Sequence, residues 1–220
     1  VGVKLLGWWR KPKSLAYEAA GSGRRLQAWW PSTESLNAQL FHSGDVLRAR
    51  SRDMARKSPY AANAIEAIVA NAVGSGIKPQ SKITDAGLRQ RVQELWLAWT
   101  DEADADDRTD FYGQQALLCR AMVEGGECLV RFRPRRPEDG LAVPLQLQLL
   151  EAEHLDTQAN RPLPNGNVIK GGIELNRLGQ REAYHLFREH PGESGSSRET
   201  VRVPASEILH VFKPLRPGQL

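Results

Sequence analysis

The chain has 220 residues, of which 40% are hydrophobic and 25% charged, and its 30 Lys and Arg against 26 Asp and Glu give a formal net charge of +4. This size and composition are typical of a folded protein with its own core, and they exclude a fully disordered chain and a collagen-like repeat. No apolar run approaches the roughly 18 residues of a membrane-spanning helix, and two cysteines are too few for a disulfide framework, so we expect no membrane contact and a reducing compartment.

The positive charge is concentrated at the start of the chain. Residues 1–60 carry 11 basic and 4 acidic side chains, and this stretch contains two Trp pairs without a helical or strand period, Trp8-Trp9 and Trp29-Trp30. We interpret residues 1–42 as a basic N-terminal arm. Paired aromatic side chains are typical of an arm anchored in a neighbouring groove, and stacking on nucleic-acid bases is the alternative interpretation.

Two helices are predicted after the arm. Ser43 or Asp45 can cap the first helix, which runs to Lys57. The dipeptide Ser58-Pro59 is typical of an N-cap followed by the first helical position, and the second helix ends before Gly74. Apolar residues at helical spacing in this second helix predict one packed face. They are Ile65, Ile68, Val69, Ala72 and Val73.

Two more helices follow. Thr84 opens the third helix, whose apolar residues recur at helical spacing and are expected to pack in the core. They are Leu88, Val92, Leu95, Trp96 and Trp99. The fourth helix covers residues 111–124, with Thr109 or Asp110 as its cap, and Gly125 and Gly126 close it.

The period of the sequence then changes from helix to strand. Residues 128–133 and 145–149 alternate between apolar and polar, which predicts strands with one apolar face each. Residues 168–176 and 180–187 predict a hairpin with a glycine in its turn, and residues 208–212 a further strand. Helices followed by antiparallel strands predict an α+β fold.

The common sequence motifs of catalysis are absent. The chain has no GxxxxGK[ST] phosphate loop and no GxGxxG, HExxH or GxSxG motif. The acidic run 101–110 lacks the pattern of an EF-hand: with Glu102 in the first position, Asp107 and Gly113 stand where Gly and Glu are required. We interpret this run as a solvated linker between helices, with weak divalent-cation binding as the alternative. We therefore predict no catalytic residue, cofactor or metal site.

The histidines and cysteines do not share the spacing of a zinc site. His185 and His210 fall in predicted strands, where we interpret them as hydrogen-bonded imidazoles. Cys119 and Cys128 are interpreted as small core residues, and a disulfide between them stays open.

Basic side chains form the remaining candidate site. Residues 48, 52 and 56 recur every four positions and so share one helix face, while residues 131 and 133 lie on the polar side of a predicted strand. Such residues can follow a phosphate backbone, meet an acidic face of a neighbouring subunit, or only keep the surface solvated. The candidates for a nucleic-acid or subunit interface are Arg48, Arg52, Arg56, Lys57, Arg131 and Arg133.

Ordered sequence blocks resemble the lambda-like family of phage portal proteins. They are RARSRDMARKSPYAA (48–62), NAVGSGIKPQ (71–80), GGECLVRFRPR (125–135), PLQLQLLE (144–151), GIELN (172–176), AYHLF (183–187), RVPA (202–205) and ILHVFKPLRPGQ (208–219). The resemblance runs from about residue 43 to the last residue, and residues 1–42 are similar in character only.

The resemblance implies a structural subunit and not an enzyme. Proteins of this family assemble as a ring, typically of twelve subunits, at one vertex of the procapsid, and genome DNA is packaged and ejected through the ring. The implied location is the portal vertex of the virion of a phage or prophage, after assembly in the host cytoplasm. The implied partners are further copies of the chain, major capsid and scaffold proteins, the terminase large subunit, head-tail completion proteins and double-stranded DNA.

The resemblance also implies a domain organisation. Residues 43–124 correspond to the helical part of the N-terminal, wing-type domain, and residues 125–220 to its β-rich part, which together form one compact unit. Family members are roughly twice as long, and the stem and clip that follow the wing domain are expected to be absent from this chain.

Two other functions stay open from the residues alone. A free-standing basic module would bind nucleic acid tightly and with a steep salt dependence. A phage hydrolase would use the carboxylates of residues 101–110 and a divalent cation.

Overall fold

The computed structural model of the chain describes residues 17–21 and 23–220, so the Trp8-Trp9 pair lies outside the described residues. The chain divides into two units, Val1–Ser35 and Leu36–Leu220. The described part of the first unit contains a short 3-10 turn, Glu18–Ala20, and two exposed tryptophans, Trp29 and Trp30. The anchoring role of the arm stays a prediction.

The second unit begins with helices and ends with strands. Its helices are α1 (Leu36–Lys57), α2 (Pro59–Ala72), α3 (Ala86–Glu102) and α4 (Phe111–Gly125). Its strands are β1 (Glu127–Pro134), β2 (Leu145–Glu151), β3 (Arg161–Pro162), β4 (Val168–Lys170), β5 (Ile173–Leu175), β6 (Arg181–Phe187), β7 (Thr200–Pro204) and β8 (Ile208–Phe212). The predicted α+β class is therefore confirmed.

The helix caps follow mostly from local sequence. Ser58 and Asp110 are the N-caps of α2 and α4, as predicted, and their side-chain oxygens accept hydrogen bonds from the backbone N–H groups of Ala61 and Gly113. The prediction of Thr84 as the third helix's first residue is wrong, because the carboxylate of Asp85 accepts the cap hydrogen bond from Leu88.

The start of α1 was predicted too late. The helix begins at Leu36, and not after Ser43 or Asp45, so residues 36–42 of the predicted arm are helical. A tertiary contact favours this extension, since the ring of Phe41 packs against the backbone of Gly171, where a Cβ atom would overlap it. A sequence window around residue 45 does not contain that partner.

The strands form two antiparallel sheets within residues 36–220. The first has the order β2-β1-β8, with Val130 opposite both Leu149 and Leu209, and the second has the order β3-β4-β5-β6-β7. The first arm of the predicted hairpin is two strands, β4 and β5, because Gly171 and Gly172 adopt positive φ and reverse the chain. Strands β3 and β7 were not predicted.

The main core is made by residues of both sheets together with Leu155, which follows the 3-10 turn Ala152–His154. It contains Leu129, Leu155, Ile173, Leu175, Tyr184, Leu186, Val203 and Ile208. The prediction of one apolar face for β1 is wrong in its first half, where Cys128, Leu129 and Val130 are all buried. The reason is that α4 also packs against this strand, so both of its faces are covered.

Helix α3 packs only through its last turns. The rings of Trp96 and Trp99 contact Phe111, and the Trp99 Nε1–H donates to the Leu145 carbonyl at 2.7 Å, which confirms the aromatic core predicted there. The other residues of the predicted stripe are not part of this aromatic cluster. Leu88, Val92 and Leu95 are exposed.

The predicted apolar stripe on α2 is likewise only partly buried, since Ile65 is buried and Ile68 is exposed.

Among the described residues, no helix combines the length and the apolar character that crossing a membrane requires.

Candidate functional site

The first predicted basic residue, Arg48, faces the interior of the protein. Its side chain is 10% exposed, and its guanidinium nitrogens lie 2.9 Å from a carboxylate oxygen of Glu127, 2.6 Å from Asp45 and 3.5 Å from Glu153. These carboxylates come from α1 itself, from the start of β1 and from the 3-10 turn Ala152–His154 that follows β2. Arg48 therefore ties the first helix to the first sheet.

Arg52, one helical turn later, repeats this contact. Its two terminal nitrogens donate to the two carboxylate oxygens of Glu153 at 2.6 and 3.1 Å, and one of them lies 3.5 Å from Glu151. Burial opposes the charged form of both groups, but the hydrogen bond between them and the neighbouring opposite charges together outweigh it, which lowers the pKa of Glu153 and raises the pKa of Arg52. Both remain charged at neutral pH.

His210 extends this network into β8. Its buried Nε2 atom lies 2.8 Å from a carboxylate oxygen of Glu127, which confirms the interpretation of a hydrogen-bonded strand histidine. A single carboxylate thus joins Arg48 of α1 to the last strand of the sheet.

The end of α1 is different. The side chains of Arg56 and Lys57 are each 75% exposed, and their carboxylate partner is Asp53 of the same helix, at 3.5 and 3.0 Å. The spacing of residues 48, 52 and 56 correctly implies one side of the helix, but burial divides the stripe. Its first half is held by carboxylates of this chain, and its last turn is open to solvent.

Arg131 and Arg133 lie together at a cleft of about 490 Å³ between the two sheets, which Asp106, Gln148 and Arg188 also line. A guanidinium nitrogen of Arg131 lies 3.6 Å from Glu207. Burial and the neighbouring positive charges of Arg131 and Arg135 lower the pKa of Arg133. The cleft is therefore polar and mixed in charge.

Sequence reasoning missed the most deeply buried carboxylate. Glu174 of β5 accepts hydrogen bonds from Arg202 at 2.7 and 3.2 Å and from Asn167 at 2.7 Å. The hydrogen bonds from Arg202, opposed by burial, lower the pKa of Glu174 to about 2. No local signal identifies this site, since a single Glu between Ile173 and Leu175 is also the pattern of a solvated strand face.

The acidic run after α3 contains a second buried carboxylate. The oxygens of Asp104 accept hydrogen bonds from the backbone N–H groups of Asp106, Arg108 and Thr109 at 3.0 to 3.1 Å and from Gln114 at 2.9 Å. Burial opposes ionisation, but these donors together lower the pKa of Asp104. The interpretation of the run as a solvated linker is wrong at Asp104, whose carboxylate organises the turn.

One group of side chains has the chemistry of metal ligands. Ligand atoms of Glu151, Glu153 and His190 all lie within 4.8 Å of one another. The guanidinium of Arg52 contacts both carboxylates, and His190 Nε2 lies 3.1 Å from Glu151. Arg52 thus already supplies the positive charge between the carboxylates, and we assign no metal to this group.

The two thiols are separate. Neither Cys119 nor Cys128 forms a disulfide within residues 36–220, so the bridge left open by the sequence is not formed, and burial raises the pKa of Cys128 to about 11. A thiol with a pKa this high stays protonated at neutral pH and is a poor nucleophile.

A comparison with known families now identifies the chain. The sequence profile described as "Phage portal protein, lambda family" matches residues 22–220. The chain belongs to the lambda family of phage portal proteins. This family resemblance was predicted from the ordered blocks between residues 48 and 219, and it is confirmed.

Individual portal proteins are similar over nearly the whole chain. The probable portal protein of Halomonas phage phiHAP-1 is 30% identical over 227 residues, which cover 96% of this chain and 43% of that protein. The portal protein of Escherichia phage N15 is 22% identical, over 90% of this chain and 41% of its own length. Portal protein B of Escherichia phage lambda is 24% identical, over 91% and 40%. The chain spans less than half the length of these relatives.

This portal-family chain also exposes apolar side chains on its helices. They occur on all four helices, and those on α1, α2 and α3 include Val46, Met54, Tyr60, Ile68, Leu88, Val92, Leu95 and Leu97. Exposed apolar side chains that lie together on one helix face are typical of a site that contacts another protein.

Proposed function

We propose that this protein is a structural subunit of a portal ring at the capsid vertex. The match of the portal family profile to residues 22–220 carries this proposal. The ring would serve as the conduit through which genome DNA is packaged and ejected. Its role would be assembly and guidance of DNA, without a chemical step of its own.

The exposed apolar faces of the helices support the assembly role. Subunit contacts in a ring bury apolar surface that is exposed in a single copy, and Met54 and Leu97 are examples of such side chains. The proposed location is the portal vertex of the virion, after assembly in the host bacterial cytoplasm. The proposed partners are further copies of this chain, the major capsid and scaffold proteins, the terminase large subunit, the head-tail completion proteins and double-stranded DNA.

The six basic residues contribute to this role in different ways. We propose that Arg56 and Lys57, whose head groups are exposed, meet DNA or a neighbouring subunit, and that Arg131 and Arg133 are open to the same partners through their cleft. Arg48 and Arg52 would act indirectly, because their contacts with Glu127 and Glu153 fix the orientation of α1.

The two alternatives are supported less well. A basic DNA-binding stripe loses half of its charge when Arg48 and Arg52 are neutralised by carboxylates of the same chain. A metal-dependent hydrolase would draw its ligands from residues 101–110, where both oxygens of Asp104, the buried carboxylate of the run, already accept hydrogen bonds from the protein itself.

Ring formation tests the proposal. The protein expressed from its complete reading frame should form closed rings in negative-stain images and a single large species in mass photometry. Protein that stays monomeric at high concentration would contradict the proposal. Tight DNA binding by a monomer that weakens steeply with salt would instead favour the nucleic-acid-binding module.

A further inference from the structure

Helix α1 presents a basic and apolar face to solvent, on the side away from Arg48. Val46, Arg50, Met54 and Lys57 recur at helical spacing and form what we call the basic face. Val46 is 50% exposed and Met54 61% exposed. These apolar side chains gain nothing by facing water, which is typical of a surface covered by a partner.

The charge of the basic face remains positive when its acidic neighbour is included. Asp53 lies 3.0 Å from Lys57 and 3.5 Å from Arg56 and neutralises one of them. On this face Arg50 and Lys57 against Asp53 leave a net charge of +1, while the exposed Asp45 beside Val46 is paired with Arg48 at 2.6 Å. A partner for this face should therefore be acidic around an apolar centre.

Helix α3 carries a face with that chemistry. Gln90, Glu94, Leu97 and Asp101 recur at helical spacing, are all exposed, and form what we call the acidic face. Its apolar centre is Leu97, which is 52% exposed, and its two carboxylates give a net charge of −2. The Gln90 amide donates to Glu94 at 2.9 Å and orients that carboxylate on the helix surface.

We propose that the acidic face of α3 in one copy docks on the basic face of α1 in the next copy. Leu97 would pack on Met54, and Glu94 and Asp101 would pair with Arg50 and Lys57, since both pairs of charges are seven residues apart along their helices. The two faces are different surfaces of the chain, so the contact can repeat head-to-tail from copy to copy, as a cyclic ring requires. This inference rests on the proposed function and names one pair of surfaces that would build the ring.

Double-stranded DNA is the competing occupant of the basic face. Charge alone would permit it, but the apolar centre at Val46 and Met54 fits a protein helix better than a phosphate backbone. The acidic face would repel DNA, so the DNA alternative leaves Leu97 uncovered.

Charge reversal tests the contact on the protein expressed from its complete reading frame. Arg50→Glu with Lys57→Glu makes both faces of every copy acidic, and Glu94→Lys with Asp101→Lys makes both faces basic. Each double variant alone should raise the protein concentration at which rings form by about tenfold or more, because like charges then meet at every contact.

The decisive measurement is the 1:1 mixture of the two double variants. In a ring that alternates the two proteins, opposite charges meet at every contact, so mixing should restore rings in mass photometry at the wild-type concentration. A matched control, Arg161→Glu with Arg198→Glu, makes the same change in net charge at two exposed residues outside both faces and should leave ring formation unchanged.

The outcomes separate this contact from the proposed function. Wild-type protein that forms no ring would overturn both. Wild-type rings, with both double variants forming rings equally well, would overturn the contact alone. Double variants that fail alone and in the mixture, with DNA binding lost only when the basic face is reversed, would assign that face to DNA instead.

A cross-linking experiment keeps the inference testable if a reversed variant folds poorly. Met54→Cys and Leu97→Cys in one chain place a thiol at the centre of each face. A short bismaleimide should then cross-link neighbouring subunits within each ring and give a ladder of covalent multimers on denaturing gels. A variant with only one of the two new cysteines should give no ladder. Absence of the ladder from intact rings would overturn the contact.

Discussion

The strands and the helices of residues 36–220 treat their apolar side chains differently. In the strands, Leu129, Tyr184 and Val203 are almost completely buried in a core that the two sheets make together. In the helices, Met54, Tyr60 and Leu88 are more than half exposed. The sheets therefore complete their core within residues 36–220, while the helices leave apolar surface exposed, and covering it would gain roughly 25 cal/mol for each Å² buried.

The charged residues show a similar contrast. Arg48 of α1 and Glu174 of β5 are buried and paired, and each fixes one element against another. Arg56 and Lys57 are exposed and fix nothing beyond their own helix. Residues that look alike in the sequence therefore differ in what their removal should do.

The largest expected effect compares one substitution in the two regions. Leu129→Ala removes a side chain from the core of the sheets and should lower the free energy of unfolding by about 4 kcal/mol. Leu88→Ala removes the same atoms from an exposed turn of α3 and should change it by less than about 0.5 kcal/mol. Urea denaturation of both variants measures the difference. Equal losses would mean that α3 is packed as fully as the sheets.

The second prediction makes the same comparison within α1. Arg48→Ala removes the guanidinium that Asp45, Glu127 and Glu153 share, leaves Glu127 with His210 and Glu153 with Arg52 as remaining partners, and should cost about 3 kcal/mol. Arg56→Ala removes an exposed head group and should cost less than about 0.5 kcal/mol. Thermal unfolding at fixed pH and salt measures both. A stable Arg48→Ala variant would show that the network does not hold the helix.

The third and smallest effect concerns pH. Because the folded-state pKa of Glu174 is about 2, against an ordinary value of 4.5, its pairing with Arg202 contributes fully to stability above about pH 4.5. The contribution is lost as the pH falls from 4.5 towards 2. We expect Glu174→Gln to cost about 2 kcal/mol at pH 7, where the carboxylate is charged, and much less near pH 2.

Denaturant midpoints measured between pH 7 and pH 2.5 test this expectation, with Glu182→Gln, an exposed carboxylate on the adjacent β6, as the control. The wild-type and Glu174→Gln profiles should converge as the pH falls. Profiles that stay parallel down to pH 2.5 would mean that Glu174 does not titrate as the buried pair requires.

Much of the fold could be predicted because its signals are local. The caps at Ser58 and Asp110 depend on residues three positions away, and the turns at Gly126 and Gly179 need glycine for a positive φ. Strand β7 was missed although Val201 and Val203 alternate with Thr200 and Arg202, because it is only five residues long, follows a loop rich in Gly and Ser and ends in a proline.

The candidate site could be predicted only in part. The spacing of Arg48, Arg52 and Arg56 established one side of a helix, but not which half of that side is buried, since Glu127 and Glu153 lie about 80 and 100 residues away along the chain. The exposure of Leu88 and Leu97 depends likewise on how much of α3 packs against α4. A sequence window of one helix contains neither the distant carboxylates nor this packing partner.

The sequence by itself determined the helix-then-strand order, the main caps and turns, and the portal family, because each depends on neighbouring residues or on ordered blocks along the chain. Only the tertiary structure decided which arginines are neutralised, that Asp104 and Glu174 are buried carboxylates, and which apolar helix faces stay open. Burial and ion pairing depend on contacts between residues far apart in the chain, and only the packed elements bring those residues together.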